Sequence, residues 1–246
     1  MIKLRIKILK AIQWRLSNIL SAIQHSLELY DSSIDEEKLN KLDQRLTNKQ
    51  AIENCKKILE PTFLKYISTI SEEAHAMSLE QAAFLLNLCK SMNPKSVVDL
   101  GSGFSSYVLR FYSRTSPVEV YSVDDNAMWL EKSKHFLQAY NLDIDRMILA
   151  EDYFTDPIKS VPDLIYYDLG NMETRKYYLS KVLDFFSVNR DTLLIIDDIH
   201  KTDFRNYAIN TLKERSLTFY NLKKSTGDKF GRHALLVISS PNQSLS

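Results

Sequence analysis

The stretch Val97-Val98-Asp99-Leu100-Gly101-Ser102-Gly103-Phe104-Ser105-Ser106 runs from apolar residues through one acid into two glycines one residue apart, then into small hydroxyl residues. Glycines so spaced after a buried strand let a ligand lie against bare backbone, because no Cβ stands in the way. A pyrophosphate in that place asks for amide donors and positive charge. Asp99 supplies the opposite charge, so the turn suits a different ligand.

Working outward, short apolar runs alternate with helical patterns. The runs are Ser96–Leu100, Val118–Val123, Met147–Ala150, Leu164–Tyr167 and Leu193–Ile196, with helical patterns near Ser105–Ser113, Ala127–Tyr140, Glu173–Phe186 and Asp203–Arg215. Strands buried on both faces and separated by helices predict a doubly wound, mostly parallel α/β sheet. Leu217–Leu222 and Ala234–Ile238 have no helical pattern between them, only turn residues around Gly227 and Gly231. That reads as a hairpin, which makes seven strands with an antiparallel C-terminal strand. Ahead of the sheet, Ser78 and Gln81 form a capping box that opens a helix ending near Pro94.

The chain changes texture near residue 76. Residues 1–76 contain no glycine and read as an N-terminal helical appendage; residues 77–246 read as a Rossmann-like domain. Leu9, Ile12, Leu16, Ile19, Ile23, Leu27 and Tyr30 recur at three- and four-residue steps, an amphipathic stripe. Asp31-Ser32-Ser33 is expected to break this helix. A second helix is expected over Asp35–Glu60, stopping before Pro61, and a third over Pro61–Ser71. Lys3, Arg5, Lys7, Lys10 and Arg15 precede the first acid, Glu28. Such a helix has two uses: packing on the sheet domain or on a second subunit as a homodimer, or peripheral contact with an anionic membrane.

Composition narrows the classes. Lys+Arg 32 against Asp+Glu 31 leaves net charge +1, which argues against a nucleic-acid partner. Cys55 and Cys89 match no metal or redox spacing, so a reduced, cytoplasmic protein is expected. No apolar run approaches the ~20 residues that span a bilayer, and no signal-peptide cleavage pattern follows the basic N-terminus.

In a parallel sheet the ligands lie beyond the carboxyl ends of the strands. After the five runs come Asp99 with Gly101, Ser102 and Gly103; Asp124-Asp125-Asn126; Glu151-Asp152; Asp168; and Asp197-Asp198-Ile199-His200. Every one ends in acid. A dinucleotide fingerprint places a third glycine where this chain has Ser106. Asp99 suits the ammonium and sulfonium of S-adenosylmethionine, and Asp124 suits two ribose hydroxyls.

With these motifs the chain resembles the class I S-adenosylmethionine-dependent methyltransferases, from roughly Met77 to the C-terminus. Within them, Met77-Ser78-Leu79-Glu80-Gln81, Asp168 and Asp197-Asp198 are similar to segments of catechol-type and antibiotic-tailoring sugar O-methyltransferases. The resemblance implies that Asp99 and the Gly101–Gly103 backbone, Ser102 included, meet the methionine moiety. It puts Asp124, with Asp125 beside it, at the ribose, Asp152 at the adenine amino group and Trp129 near the adenine edge. It also implies a Mg²⁺ site at Asp168, Asp197 and Asp198, and a small-molecule methyl acceptor. Where those families place a Lys or His, three residues after the fourth-strand acid, this chain has Asn171. His200 is then the nearest general base, with Asp168 the other catalytic candidate. Three further readings stand beside this one: an NAD(P)-dependent oxidoreductase, an aminopropyl-type transferase on the same fold, and a catalytically idle partner protein that binds the cofactor.

Overall fold

The computed structural model describes residues 2–155, 162–188 and 192–238. Among these, seven strands form one sheet: β1 (Ser96–Leu100), β2 (Glu119–Asp124), β3 (Met147–Leu149), β4 (Leu164–Tyr167), β5 (Leu193–Ile196), β6 (Thr218–Asn221) and β7 (Leu235–Ile238). Their order is β3-β2-β1-β4-β5-β7-β6. β7 runs antiparallel to β5 and β6, while the pairings among β1 to β5 are parallel. Strands β1, β4, β5 and β7 are buried along their whole length. That is why they read as unbroken apolar runs rather than alternating ones.

Nine helices flank the sheet among the described residues: α1 (Ile2–Leu42), α2 (Lys49–Thr69), α3 (Leu79–Met92), α4 (Phe104–Ser113), α5 (Ala127–Ala139), α6 (Ala150–Thr155), α7 (Met172–Val188), α8 (Thr202–Glu214) and α9 (Lys223–Thr226). Val97 faces the layer of α2 to α5, whereas Val98 and Leu100 face α7 and α8. The period-two alternation of the strand sends neighbours to opposite layers. β1 lies between β2 and β4, so the chain leaves it in opposite directions. The crevice that opens at such a switch point is where ligands of this architecture bind.

The N-terminal region departs from its expected form in three places, the first being that the helix expected over Asp35–Glu60 is interrupted at residues 43–48, between α1 and α2. Asp31-Ser32-Ser33 does not break the first helix; α1 runs on to Leu42. Ser32 and Asp35 turn toward the body instead. Ser32 Oγ donates to the Asn221 carbonyl at 3.0 Å and accepts from the Lys224 amide at 3.0 Å, and Asp35 accepts from the Asn221 amide at 2.9 Å. Pro61 lies inside α2 rather than at a boundary. Pro61 and Lys57 both sit on the exposed face, so the carbonyl that Pro61 leaves without a donor meets water. Leu59, Phe63 and Tyr66 hold the other face in the core.

The change of texture at residue 76 is not a change of core. Leu39, Leu46, Cys55, Leu59, Phe63 and Tyr66 belong to the same cluster as Val97, Phe104 and Tyr166. Phe63 and Tyr66 each stand 5.3 Å from the Phe104 ring, and Tyr66 is 4.9 Å from Phe136, geometries that add to simple burial. The hairpin between β6 and β7 contains the one-turn α9, a helix absent from the sequence reading. No described helix is long and apolar enough to cross a membrane.

Candidate functional site

At the carboxyl ends of the strands two cavities lie side by side. The first, about 440 Å³, is lined by Gly101, Ser102, Asp124, Asp125, Trp129 and Tyr66 among others. The second, about 370 Å³, is lined by Asp197, Asp198, His200, Lys201, Arg232 and Gln81 among others. His75, Ala76, Met77, Asp168 and Arg175 line both, so the cavities share a wall.

The first cavity is built on the glycine turn. Gly101 has φ +112°, and a Cβ there would come within 2.5 Å of the Asp168 carbonyl oxygen. Only glycine fits between β1 and β4 at that point. A Cβ on Gly103 would come within 3.2 Å of the Tyr66 hydroxyl. Asp124 Oδ2 accepts from the Ser102 amide at 2.8 Å and from Ser102 Oγ at 2.7 Å, and Oδ1 accepts from the Asn126 amide at 2.9 Å. Trp129 Nε1 donates to the Ser102 carbonyl at 2.7 Å. The loop is therefore clamped from β2 and α5 before any ligand arrives. Asp124 has three donors for about four acceptor sites. Burial raises its pKa, and the Ser102 and Asn126 donors oppose that.

Asp99 has a different place from the one the resemblance implies. It is 0% exposed and does not line either of these cavities. Its Oδ2 accepts from Ser106 Oγ at 2.5 Å and Ser122 Oγ at 3.0 Å. Ser106 Oγ in turn accepts from the Gly103 amide at 3.3 Å. The carboxylate ahead of the glycines is thus a knot joining β1, β2 and α4 beneath the loop, and it shapes the turn from below. Burial pushes its pKa up to about 6, against the pull of Ser106, Ser105, Arg110 and Ser122. Asp99 Oδ1 has no partner among the described residues. Asp152 is likewise displaced: it lies exposed on α6, outside the lining of both cavities. Asp125 does line the first cavity, and its carboxylate approaches Gly170, which has φ +71°.

The second cavity holds the acidic trio, and a cation of the chain stands among its members. Arg175 Nη1 lies 2.7 Å from Asp198 Oδ2, and Arg175 Nη2 lies 2.5 Å from Asp168 Oδ1. Nη2 also donates to the carbonyls of Asp168 and Gly170, at 3.1 and 3.2 Å. Lys201 makes a second ion pair with Asp198. Asp197 is engaged elsewhere: its Oδ2 accepts from the Tyr166 hydroxyl at 2.7 Å, which accepts from Gln81 Nε2 at 2.9 Å, and its Oδ1 accepts from the Asp198 amide. The expectation of Mg²⁺ at Asp168, Asp197 and Asp198 does not fit this geometry. A divalent ion needs several free oxygens around one point, and the guanidinium occupies the space between Asp168 and Asp198. Among the described residues no group of three or more His, Cys, Asp or Glu is arranged to hold a metal.

The charges in this cluster respond to that arrangement. Burial raises Asp168 well above the ordinary carboxylate range, against the pull of Arg175. Burial and the neighbouring Asp198 raise Asp197. At Asp198 burial is outweighed by Arg175 and Lys201, and the pKa falls. Burial also lowers His200, despite Asp198 nearby. His200 Nδ1 lies 3.5 Å from Asp198 Oδ1 and forms no hydrogen bond among the described residues.

Asn171 has a structural task. Its Oδ1 accepts from the Glu173 and Thr174 amides at 3.0 and 3.1 Å, capping α7. Its carbonyl accepts from the Arg175 amide at 2.7 Å. The residue in the family's base position therefore starts the helix that carries Arg175 into the cluster. Sequence reasoning missed Arg175, Tyr66 and Arg232, because none belongs to a motif around the strand ends; Gln81 stood in the Met77–Gln81 segment without a site role.

No family model matches this chain, and no curated protein matches it. Solved structures do match. Rv0187 from MTB, in cofactor-bound form, is similar with TM-score 0.53 at 18% identity, over 67% of this chain and 82% of that one. The SAH-bound methyltransferase PaMTH1 of Podospora anserina is similar with TM-score 0.51 at 14% identity, over 82% and 95%. A Klebsiella pneumoniae protein provisionally described as an O-methyltransferase gives TM-score 0.51 at 15% identity, over 87% and 100%. The chain shares the Rossmann-like fold of these structures. Likeness at this level of identity speaks for the architecture, and the chemistry is argued from the site.

Proposed function

We propose that this chain is an S-adenosylmethionine-dependent methyltransferase acting on an oxygen of a small molecule. One observation carries the reading: a glycine-turn cavity and a polar second cavity share a wall at Asp168 and Arg175. Such a wall can bring two ligands together end to end. The residues fit the cofactor. Gly101 and Ser102 line the cavity while Gly103 is buried behind them under Tyr66 and Trp129, the volume lies in the usual ligand range of about 300–1,000 Å³, and Asp124 retains an acceptor site for a ribose hydroxyl. Bound there, the cofactor supplies a methyl group on a positively charged sulfur.

The chain's own work is to hold two partners in line and to take a proton. The first cavity positions the donor against Gly101 and Ser102, with Tyr66 and Trp129 packed on the loop behind them. The second receives the acceptor beside His75, Met77 and Gln81. His200 takes the hydroxyl proton on Nε2, since its Nδ1 is buried beside Asp198, and burial keeps the ring neutral and ready at pH 7. Arg175 balances the charge of Asp168 and Asp198, so no metal step is needed.

Calorimetry with S-adenosylhomocysteine against NADH tests the reading. Binding of the first alone is the expected result; binding of NADH alone would overturn it in favour of an oxidoreductase. Turnover of decarboxylated S-adenosylmethionine would redirect it to aminopropyl transfer. His200→Ala should lower methyl transfer at neutral pH and recover part of it at higher pH. A flat pH profile would remove His200 from proton transfer.

A further inference from the structure

Helix α1 is 41 residues long, about 60 Å at 1.5 Å per residue. Its last third holds the body through Ser32, Asp35 and the fully buried Leu39. The preceding part shows a stripe of Leu9, Ile12, Leu16, Ile19, Leu20, Ile23 and Leu27, between 48% and 65% exposed, and Ile34 continues it. In proteins most helical stability comes from packing an apolar face rather than from propensity. The uncovered stripe of this helix is such a face.

We infer that the stripe is covered by the same stripe of a second copy of this chain, running antiparallel. Charge selects the occupant. Residues 3–15 hold five basic residues (Lys3, Arg5, Lys7, Lys10, Arg15) and no acid. Residues 28–37 hold five acids (Glu28, Asp31, Asp35, Glu36, Glu37) and no base. An antiparallel pair crossing near residue 21 puts each basic segment beside the partner's acidic one: position 10 lies opposite position 32 and position 15 opposite position 27, each about one residue from Asp31 and Glu28 of the partner copy. A two-fold axis makes every such contact twice. A parallel pair would set basic against basic. A membrane surface fits less well, because residues 16–37 contain no Lys or Arg. Helices that lie on anionic lipid carry basic residues along the polar face. The stripe spans about 38 Å from Leu9 to Ile34, long enough for an interface of standard size, ~800 Å² per partner.

Cysteine cross-linking tests the geometry, since Cys55 and Cys89 are both buried. Leu20→Cys lies at the proposed axis and should form an intermolecular disulfide on mild oxidation. Leu9→Cys should not, because its counterpart is far away in an antiparallel pair. Equal cross-linking at both positions overturns the antiparallel arrangement. Sedimentation of the full chain should give a dimer at micromolar concentration. Leu16→Glu with Ile23→Glu should give a monomer with unchanged S-adenosylhomocysteine affinity. The pair Lys10→Glu and Arg15→Glu should weaken dimerisation roughly 10-fold or more. Mixing that variant with Glu28→Lys and Asp31→Lys should restore dimers between the two. A monomeric full chain that co-sediments with phosphatidylserine vesicles overturns the inference in favour of the membrane.

Discussion

The two cavities use strand-end aspartates in opposite ways. At the first, Asp124 is held by two amides and a hydroxyl, all neutral donors. At the second, Asp168 and Asp198 are held by Arg175 and Lys201, both cations. Neutral donors fix the geometry of a carboxylate and leave its charge for a ligand. Cations use up that charge, so the same residue type becomes a wall. An acid at the end of a parallel strand is therefore no guide to its chemistry until its partners are known.

The largest effect should come from Gly101→Val. Its Cβ would collide with the Asp168 carbonyl, and φ +112° is closed to a β-branched residue. S-adenosylhomocysteine binding should disappear from calorimetry. Normal binding by a folded variant would show that the first cavity is not the cofactor site.

Arg175→Ala should cost about 3–5 kcal/mol of stability, the usual penalty for leaving buried charge unpaired. Thermal melting measures it, and Arg175→Lys should lose less. The same change tests the contrast between the cavities directly. Removing the guanidinium leaves Asp168 and Asp198 facing each other, so Mn²⁺ binding, read by paramagnetic resonance, should appear in Arg175→Ala and be absent from the wild type. Mn²⁺ bound to the wild-type cluster would show that the second cavity is a metal site.

Asp99→Asn should change stability mainly through pH. Burial raises this carboxyl from 3.8 to about 6, so the folded chain keeps its proton to higher pH than the unfolded chain. Its contribution is complete below about 3.8 and is lost as pH rises through about 6, a difference of ~3 kcal/mol. Urea unfolding between those values should be flatter with pH in the variant. An unchanged slope would mean that Asp99 titrates normally.

Asp124→Asn removes a charge-assisted acceptor worth about 1.5–3 kcal/mol, so S-adenosylhomocysteine affinity should fall roughly 10- to 100-fold. The smallest effects are expected at the residues that the structure moves out of the site. Asp152→Asn should leave affinity and stability within about 0.5 kcal/mol of the wild type, as for most exposed positions. EDTA should leave turnover unchanged.

The fold was legible because its signals are local. Ser96–Leu100, Leu164–Tyr167 and Leu193–Ile196 form strands at the expected residues, since strands buried on both faces must be apolar throughout. Gly101 and Gly103 announced a backbone-lined turn for the same reason: only one residue type lacks a Cβ. Ser106 in place of a third glycine was visible too, and its tie to Asp99 was not. The N-terminal helices were misjudged where a local rule met a tertiary one. Asp31-Ser32-Ser33 resembles a break, yet Ser32 and Asp35 find partners in β6 and α9, and the helix continues through them. Pro61 resembles a boundary, yet Leu59, Phe63 and Tyr66 bind α2 into the core on both sides of it.

By itself the sequence determined the alternation of strands with the helices α4, α5, α7 and α8, the turn at Gly101–Gly103 and the row of acids at the strand ends, because each depends on residues close in the chain. Only the tertiary structure decided what those acids do. Asp99 drops beneath the loop because Ser106 and Ser122 meet it there, and Asp124 faces the cavity. Arg175 reaches Asp168 and Asp198 from one turn into a helix that Asn171 starts. The charge state of a carboxylate is set by neighbours within a few ångströms, and those neighbours come from elements far apart in sequence.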